Sequence, residues 1–134
     1  MTIKRVGGRT DLTRFVDLPW KIYRGDPNWV PPLKASVREL VDARRHPFYD
    51  EGRGAEIELF LAWEGRDVVG RVAAIQNHAY NRFHDENVVF FGFFESIDRP
   101  DVARDLLTAV EAWAAERNAS AVLGPMNPST NYEC

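Results

Sequence analysis

The chain has 134 residues, 45% hydrophobic and 28% charged, which suits one packed domain and is too short for two. A net charge of −3 and a pI near 5.6 argue against a broad nucleic-acid or anionic-membrane surface, since either needs a basic excess. One cysteine, no apolar leader in MTIKRVGGRTDL and no run of roughly 18 apolar residues exclude a disulfide framework and predict a cytoplasmic, soluble protein without nucleic-acid or membrane partners.

Residues 2–6 (TIKRV) read as a short strand ended by Gly7-Gly8. Thr10 can cap a helix whose apolar face is Leu12, Phe15, Val16, Ile22 and Tyr23. Pro19 is expected to kink or split that helix, because it lacks a donor and clashes with the preceding turn. The helix is expected to end near Arg24-Gly25. DPNWVPPL then reads as an extended connector pinned by Trp29. A second helix carries Leu33, Val37, Leu40, Val41 and Arg44 at helical spacing, and HPFYDEGRG is a loop.

The period then changes to two. In AEIELFLAW, Ile57, Leu59, Leu61 and Trp63 alternate with Glu56, Glu58, Phe60 and Ala62, a strand with one greasier face. Glu64-Gly65-Arg66-Asp67 is a turn, and DVVGRVAAI returns antiparallel. NHAYNRFHDEN reads as a polar loop, and VVFFGFFES as a strand buried on both faces.

Asp98 is expected to cap the next helix, with Pro100 and Asp101 in its first turn. Its buried stripe is Val102, Leu106, Val110, Trp113 and Ala114, and Asn118 ends it. SAVLGPMN is a short buried strand. The predicted order is β-α-α-β-β-β-α-β, a mixed α/β sheet whose last two strands flank a right-handed crossover helix. Ending on a polar tail after a central-type strand leaves a sheet edge uncovered. The expectation is therefore a single domain over 1–134, incomplete at its C-terminus and lacking a final α-β-β, or an edge covered by a partner such as a second copy.

That element order, with FVDLPWKIYRGDPNWVPPL, the GFFES strand end and GPMNPSTNYEC, resembles the acyl-CoA N-acyltransferase (GNAT) superfamily. It is similar in particular to a subgroup of large bacterial GNAT-like proteins. The resemblance implies acetyl-CoA or another acyl-CoA as co-substrate and a small-molecule or protein amine as acceptor. It also implies a cleft where the fourth and fifth strands splay. Contacts to the acyl donor would come from Phe93 and Phe94, from Arg99, Asp101, Val102 and Ala103 at the helix start, and from Asn127. The family's pyrophosphate loop reads Gln or Arg, x, x, Gly, x, Gly or Ala, where a helix N-terminus meets the anion. Here it reads DRPDVA, with Asp98 and Asp101 at the Gln/Arg and Gly positions. Two charges about 5 Å apart repel by roughly 3 kcal/mol at an effective dielectric near 20. Arg99 offers a compensating bidentate contact. A fold that has lost its phosphate loop and serves as a non-catalytic binding module is the competing expectation.

By the same resemblance, Glu95 at the strand end would be the general base and Tyr132 would protonate the departing thiolate. Glu95 could equally be an exposed strand-end residue, and Tyr132 could serve packing. Asn127, Thr130 and Asn131 can bond pantetheine amides, yet Asn-Pro-Ser-Thr-Asn is ordinary turn chemistry. Trp20, Tyr23, Trp29, Phe48 and Tyr49 either wall an acceptor pocket or pack beneath a long loop. His78, His84, Asp85 and Glu86 match no closed metal site, so no metal is expected. Cys134 has no paired histidine at an interpretable spacing.

Overall fold

The computed structural model describes residues 1–41 and 55–125. In chain order its elements are β1 (Thr2–Arg5), α1 (Arg9–Ile22), α2 (Lys34–Val41), β2 (Ala55–Glu64), β3 (Asp67–Asn77), α3 (His78–His84), β4 (Val88–Ser96), α4 (Pro100–Glu116) and β5 (Ala121–Leu123). The five strands form one sheet in the order β1-β2-β3-β4-β5, antiparallel except for the parallel pair β4 and β5.

The sheet is covered on both faces. Phe15, Val16 and Leu18 of α1 and Val37 and Val41 of α2 pack with Leu59, Leu61, Ala73 and Ile75 on one side. The α4 stripe of Val102, Leu106, Val110, Trp113 and Ala114 packs with Phe60, Ala62, Val72, Ala74 and Val89 on the other. Each large apolar side chain removed from water in this way contributes roughly 1.5–3 kcal/mol. The expected α4 stripe is therefore present residue for residue. β2 departs from its expected single greasy face: from Leu59 to Ala62 it is buried on both sides, since helices lie above and below it. Gly70 lets α4 dock this closely, because a Cβ there would lie 2.7 Å from Leu106 Cδ1 and 2.9 Å from Val102 Cγ1.

Several local expectations are corrected. NHAYNRFHDEN contains helix α3: the Asn77 side chain caps it by accepting from the Tyr80 N–H at 3.1 Å, and Asp85 ends it in the left-handed region at φ 51°. Seven residues are too few to show a helical period, but the Tyr80 ring seats against Phe90 at 5.0 Å and fixes the turn. Thr10 does not cap α1; Gly8 stands at that position, and Asp11 instead accepts from the Gly7 N–H at 3.1 Å. Pro19 does not split α1, which runs on to Ile22 with the Tyr23 N–H bonded to the Pro19 carbonyl at 2.9 Å. Asp98 is exposed, and Arg99 stands at the N-cap of α4. β5 is half-buried at Val122 only, with Ala121 and Leu123 exposed, as befits an edge.

Candidate active site

The two strands that should define a cleft are adjacent, and their pairing covers only the start of β4. β4 and β5 pair at Val88↔Ala121, Val89↔Val122 and Phe90↔Leu123, after which β5 ends while β4 continues to Ser96. Gly124 still hugs β4, since a Cβ there would sit 2.6 Å from the Phe91 carbonyl oxygen. Past that point β4 is irregular. Its register against β3 steps from Ala73↔Gly92 to Arg71↔Glu95, so Phe93 and Phe94 together oppose Val72. This is a β-bulge, and Phe93 adopts φ 52°, a conformation that a bulky residue rarely takes.

The bulge aims a cluster of ionisable groups. The Tyr23 hydroxyl, from the end of α1, donates to Glu95 Oε2 at 2.7 Å. Arg71, opposite Glu95 on β3, is only 5% exposed. Its Nε donates to the Phe93 carbonyl at 2.8 Å and its Nη1 to the Phe15 carbonyl at 2.6 Å. Its guanidinium also lies over the Phe15 and Phe93 rings, at 4.9 and 5.9 Å. Burial pushes the Arg71 pKa down to about 10, and the Glu95 charge works against that fall, so Arg71 is a cation at neutral pH. The hydrogen bond to Glu95, reinforced by burial, raises the Tyr23 pKa above its ordinary value near 10. Tyr23 is therefore a neutral donor at neutral pH. Its ring stacks on Trp29 at 5.3 Å, and Trp29 meets Trp20 edge-on at 5.2 Å, a half-buried aromatic group packed against Tyr23.

A cleft of about 700 Å³ flanks this cluster between the end of α1 and the start of α4, lined by Lys21, Tyr23, Val68, Phe94, Arg99 and Ala103 among others. Tyr23 links the two, because Glu95 lies beside the cleft and not on its wall. At the α4 N-terminus Asp101 behaves as a resident anion. Arg99 grips it through Nε at 3.2 Å and Nη2 at 2.7 Å and also pairs with Glu64. Those contacts, Arg99 first, hold the Asp101 pKa below its usual value, with further help from the Asp101 and Val102 N–H groups. The Val102 and Ala103 N–H groups also donate to the Arg99 carbonyl, at 3.1 and 3.4 Å.

The structure thus brings Glu95, Tyr23, Phe93 and Phe94 together. The Phe93 ring is buried against Phe15 at 6.4 Å, while Phe94 faces the cleft. Arg99, Asp101 and Ala103 lie at the neighbouring helix start, and the Val102 side chain is fully buried beneath the sheet. Phe48, Tyr49, Asn127, Thr130, Asn131, Tyr132 and Cys134 lie outside the described residues. His78 stands 3.9 Å from Glu56, whereas the His84 ring lies 4.2 Å from Tyr80. Sequence reasoning missed Arg71. Its signal was a lone arginine inside the otherwise apolar DVVGRVAAI.

No family model matches the chain. It is 30% identical over 128 residues to Protein YghO of Escherichia coli (strain K12), covering 93% of this chain and 31% of that protein. It is 34% identical over 124 residues to the bacterial ceramide synthase of Caulobacter vibrioides (strain NA1000 / CB15N), covering 92% and 32%. The chain therefore spans about a third of the length of the curated relatives it matches. Among solved structures it is similar to the aminoglycoside acetyltransferase meta-AAC0020 from an uncultured soil metagenomic sample, in complex with trehalose. The TM-score is 0.61 at 15% identity, over 98% of this chain and 80% of that one. It is likewise similar to AAC(6')-Iy in complex with the bisubstrate analog CoA-S-monomethyl-acetylneamine, at TM-score 0.61 and 18% identity over 97% and 82%.

Proposed function

We propose that this chain, which has the acyl-CoA N-acyltransferase (GNAT) fold of those acetyltransferases, transfers an acyl group from an acyl-CoA to an amine, with Glu95 as general base. The observation that carries the reading is the Tyr23–Glu95 contact at 2.7 Å, placed by a bulge in β4 beyond its pairing with β5. Three of the similar proteins have names that support one reaction class. Two are named acetyltransferases, and a ceramide, the product named by the third, is an N-acyl amide. The acyl-CoA supplies a thioester whose carbonyl an amine can attack. Glu95 accepts the ammonium proton, the C–N bond forms as the C–S bond breaks, and the thiolate leaves. Tyr23 holds one Glu95 oxygen and so fixes the direction of the carboxylate. Tyr23 and Phe94 line the cleft and give the acceptor an apolar surface near the base.

A second reading is favoured by Asp101, whose carboxylate already occupies the helix N-terminus where a pyrophosphate would bind. On that reading the domain binds an amine-bearing ligand without using CoA. Thermal shift with CoA and acetyl-CoA separates the two. The acyltransferase reading expects Tm to rise with ligand, by about 2.7 kcal/mol of stabilisation at a hundredfold excess over Kd. A flat response up to millimolar acetyl-CoA sinks it. A positive response should be followed by transfer assays with an aminoglycoside and a long-chain amino alcohol.

A further inference from the structure

We propose that Arg71 is the positioning residue of the Glu95 site, a buried clamp that ties the β4 bulge to the proline-bearing turn of α1 and so holds Glu95 against Tyr23. Only the kinetic part of the test below rests on the acyl-transfer reading.

The two acceptors of Arg71 are carbonyls at irregular points of the backbone. The Phe15 carbonyl of α1 would ordinarily be served by the N–H four residues on, but that residue is Pro19 and has none. The Phe93 carbonyl belongs to the residue with φ 52° in the bulge, where the β3 ladder slips. One guanidinium fork donates to both. The two defects are thus joined through one side chain. One defect lies in the helix that carries Tyr23 and the other in the strand that carries Glu95.

Register adds a separate reason. Arg71 is the direct cross-strand partner of Glu95, so the clamp is also the nearest fixed positive charge on β3 to the base. A clamp needed only to stop two carbonyls would not have to stand opposite a carboxylate. An apolar residue there would fill the volume, yet it would free the bulge and remove the charge. A lysine would keep the charge, but its single ammonium cannot bridge both carbonyls in the planar geometry of the fork.

Arg71→Lys and Arg71→Met therefore separate charge from fork. The test uses the intact chain, labelled for amide and tyrosine NMR. The groups that act on the Tyr23 hydroxyl are Glu95 from β4, Arg71 from β3 and Asp26 beyond α1. In Arg71→Met the Tyr23 titration should move further above its ordinary value, because the cation that opposes the rise is gone. In Arg71→Lys it should stay near wild type while the amides of Phe93, Phe94 and Glu95 shift. With acetyl-CoA and whichever amine the wild type accepts, kcat should fall about 10²-fold in Arg71→Lys while the acetyl-CoA KM stays within about twofold. If Arg71→Met does not fold, the Arg71→Lys amides decide. Unchanged amides at 93–95 in Arg71→Lys overturn the clamp, even if stability falls. Shifted amides in a chain with no transferase activity uphold the clamp and overturn the acyl-transfer reading instead.

Discussion

The two ends of β4 border open clefts of nearly equal size, about 760 Å³ upstream and about 700 Å³ downstream, yet the strand itself meets different chemistry at each. Upstream, β4 is paired on both sides and its flanks are tied by neutral amides. Asn81 exchanges two bonds with the Val88 backbone, Gln76 donates to Asn87, and Asn87 donates to the Arg117 and Asn118 carbonyls. Downstream, the strand is bulged, and its neighbours are a buried cation, a carboxylate and a phenol. Amides satisfy the backbone groups beside the upstream end, while the ionisable groups of that cleft, Glu56, His78 and Arg117 among them, pair with one another and lie on other elements. Ionisable groups held at fixed distances can move protons. Volume does not distinguish the two ends, and both clefts hold ionisable groups; what differs is that downstream the carboxylate belongs to β4 itself and is bonded to a phenol.

The comparison breaks most sharply at Glu95. Glu95→Gln should lower acyl transfer by about 10²- to 10⁴-fold while leaving the acetyl-CoA thermal shift in place. Transfer within a few-fold of wild type would leave the downstream end with no base. Next in size, Gly70→Ala should destabilise by about 1–3 kcal/mol, because the new methyl meets buried Leu106 and Val102 and the Glu95 carbonyl. Denaturant unfolding measures it, and an unchanged midpoint would mean that α4 docks more loosely than described.

Upstream, Asn87→Ala should cost about 1–3 kcal/mol in stability by leaving the Gln76 amide and two carbonyls without their partner. It should leave the rate of acyl transfer unchanged. A kinetic effect as large as that of Glu95→Gln would erase the distinction between the two ends. The smallest effect concerns Asp101. Its folded pKa lies below the usual 3.8 of the unfolded chain, so its contribution to stability is complete above that value and disappears as pH falls through the folded one. Asp101→Asn should therefore flatten the acid limb of a Tm-against-pH curve, modestly for a carboxylate this exposed.

Most of the scaffold was readable along the chain. The α4 stripe is a helical period carried by Val102, Leu106, Val110, Trp113 and Ala114, and the β2–β3 hairpin is an alternation interrupted by Gly65. Glu95 was readable as a charge at the end of an apolar strand. α3 was not: its Asn77 cap is local, but seven residues show no period, and its seat on Phe90 is a tertiary contact.

What the sequence by itself determined is this layered sheet, since periodicity and turn residues act over a few neighbours and burial follows from them. The site was decided only by tertiary structure. Tyr23 meets Glu95 across 72 residues of chain, and Arg71 reaches Phe15 across 56. Pro19 removes the usual donor to the Phe15 carbonyl, and the bulge turns the Phe93 carbonyl toward β3, but no local pattern says that one buried guanidinium will bond both. That pairing exists because a buried guanidinium must find acceptors and the fold brings Arg71 within reach of each.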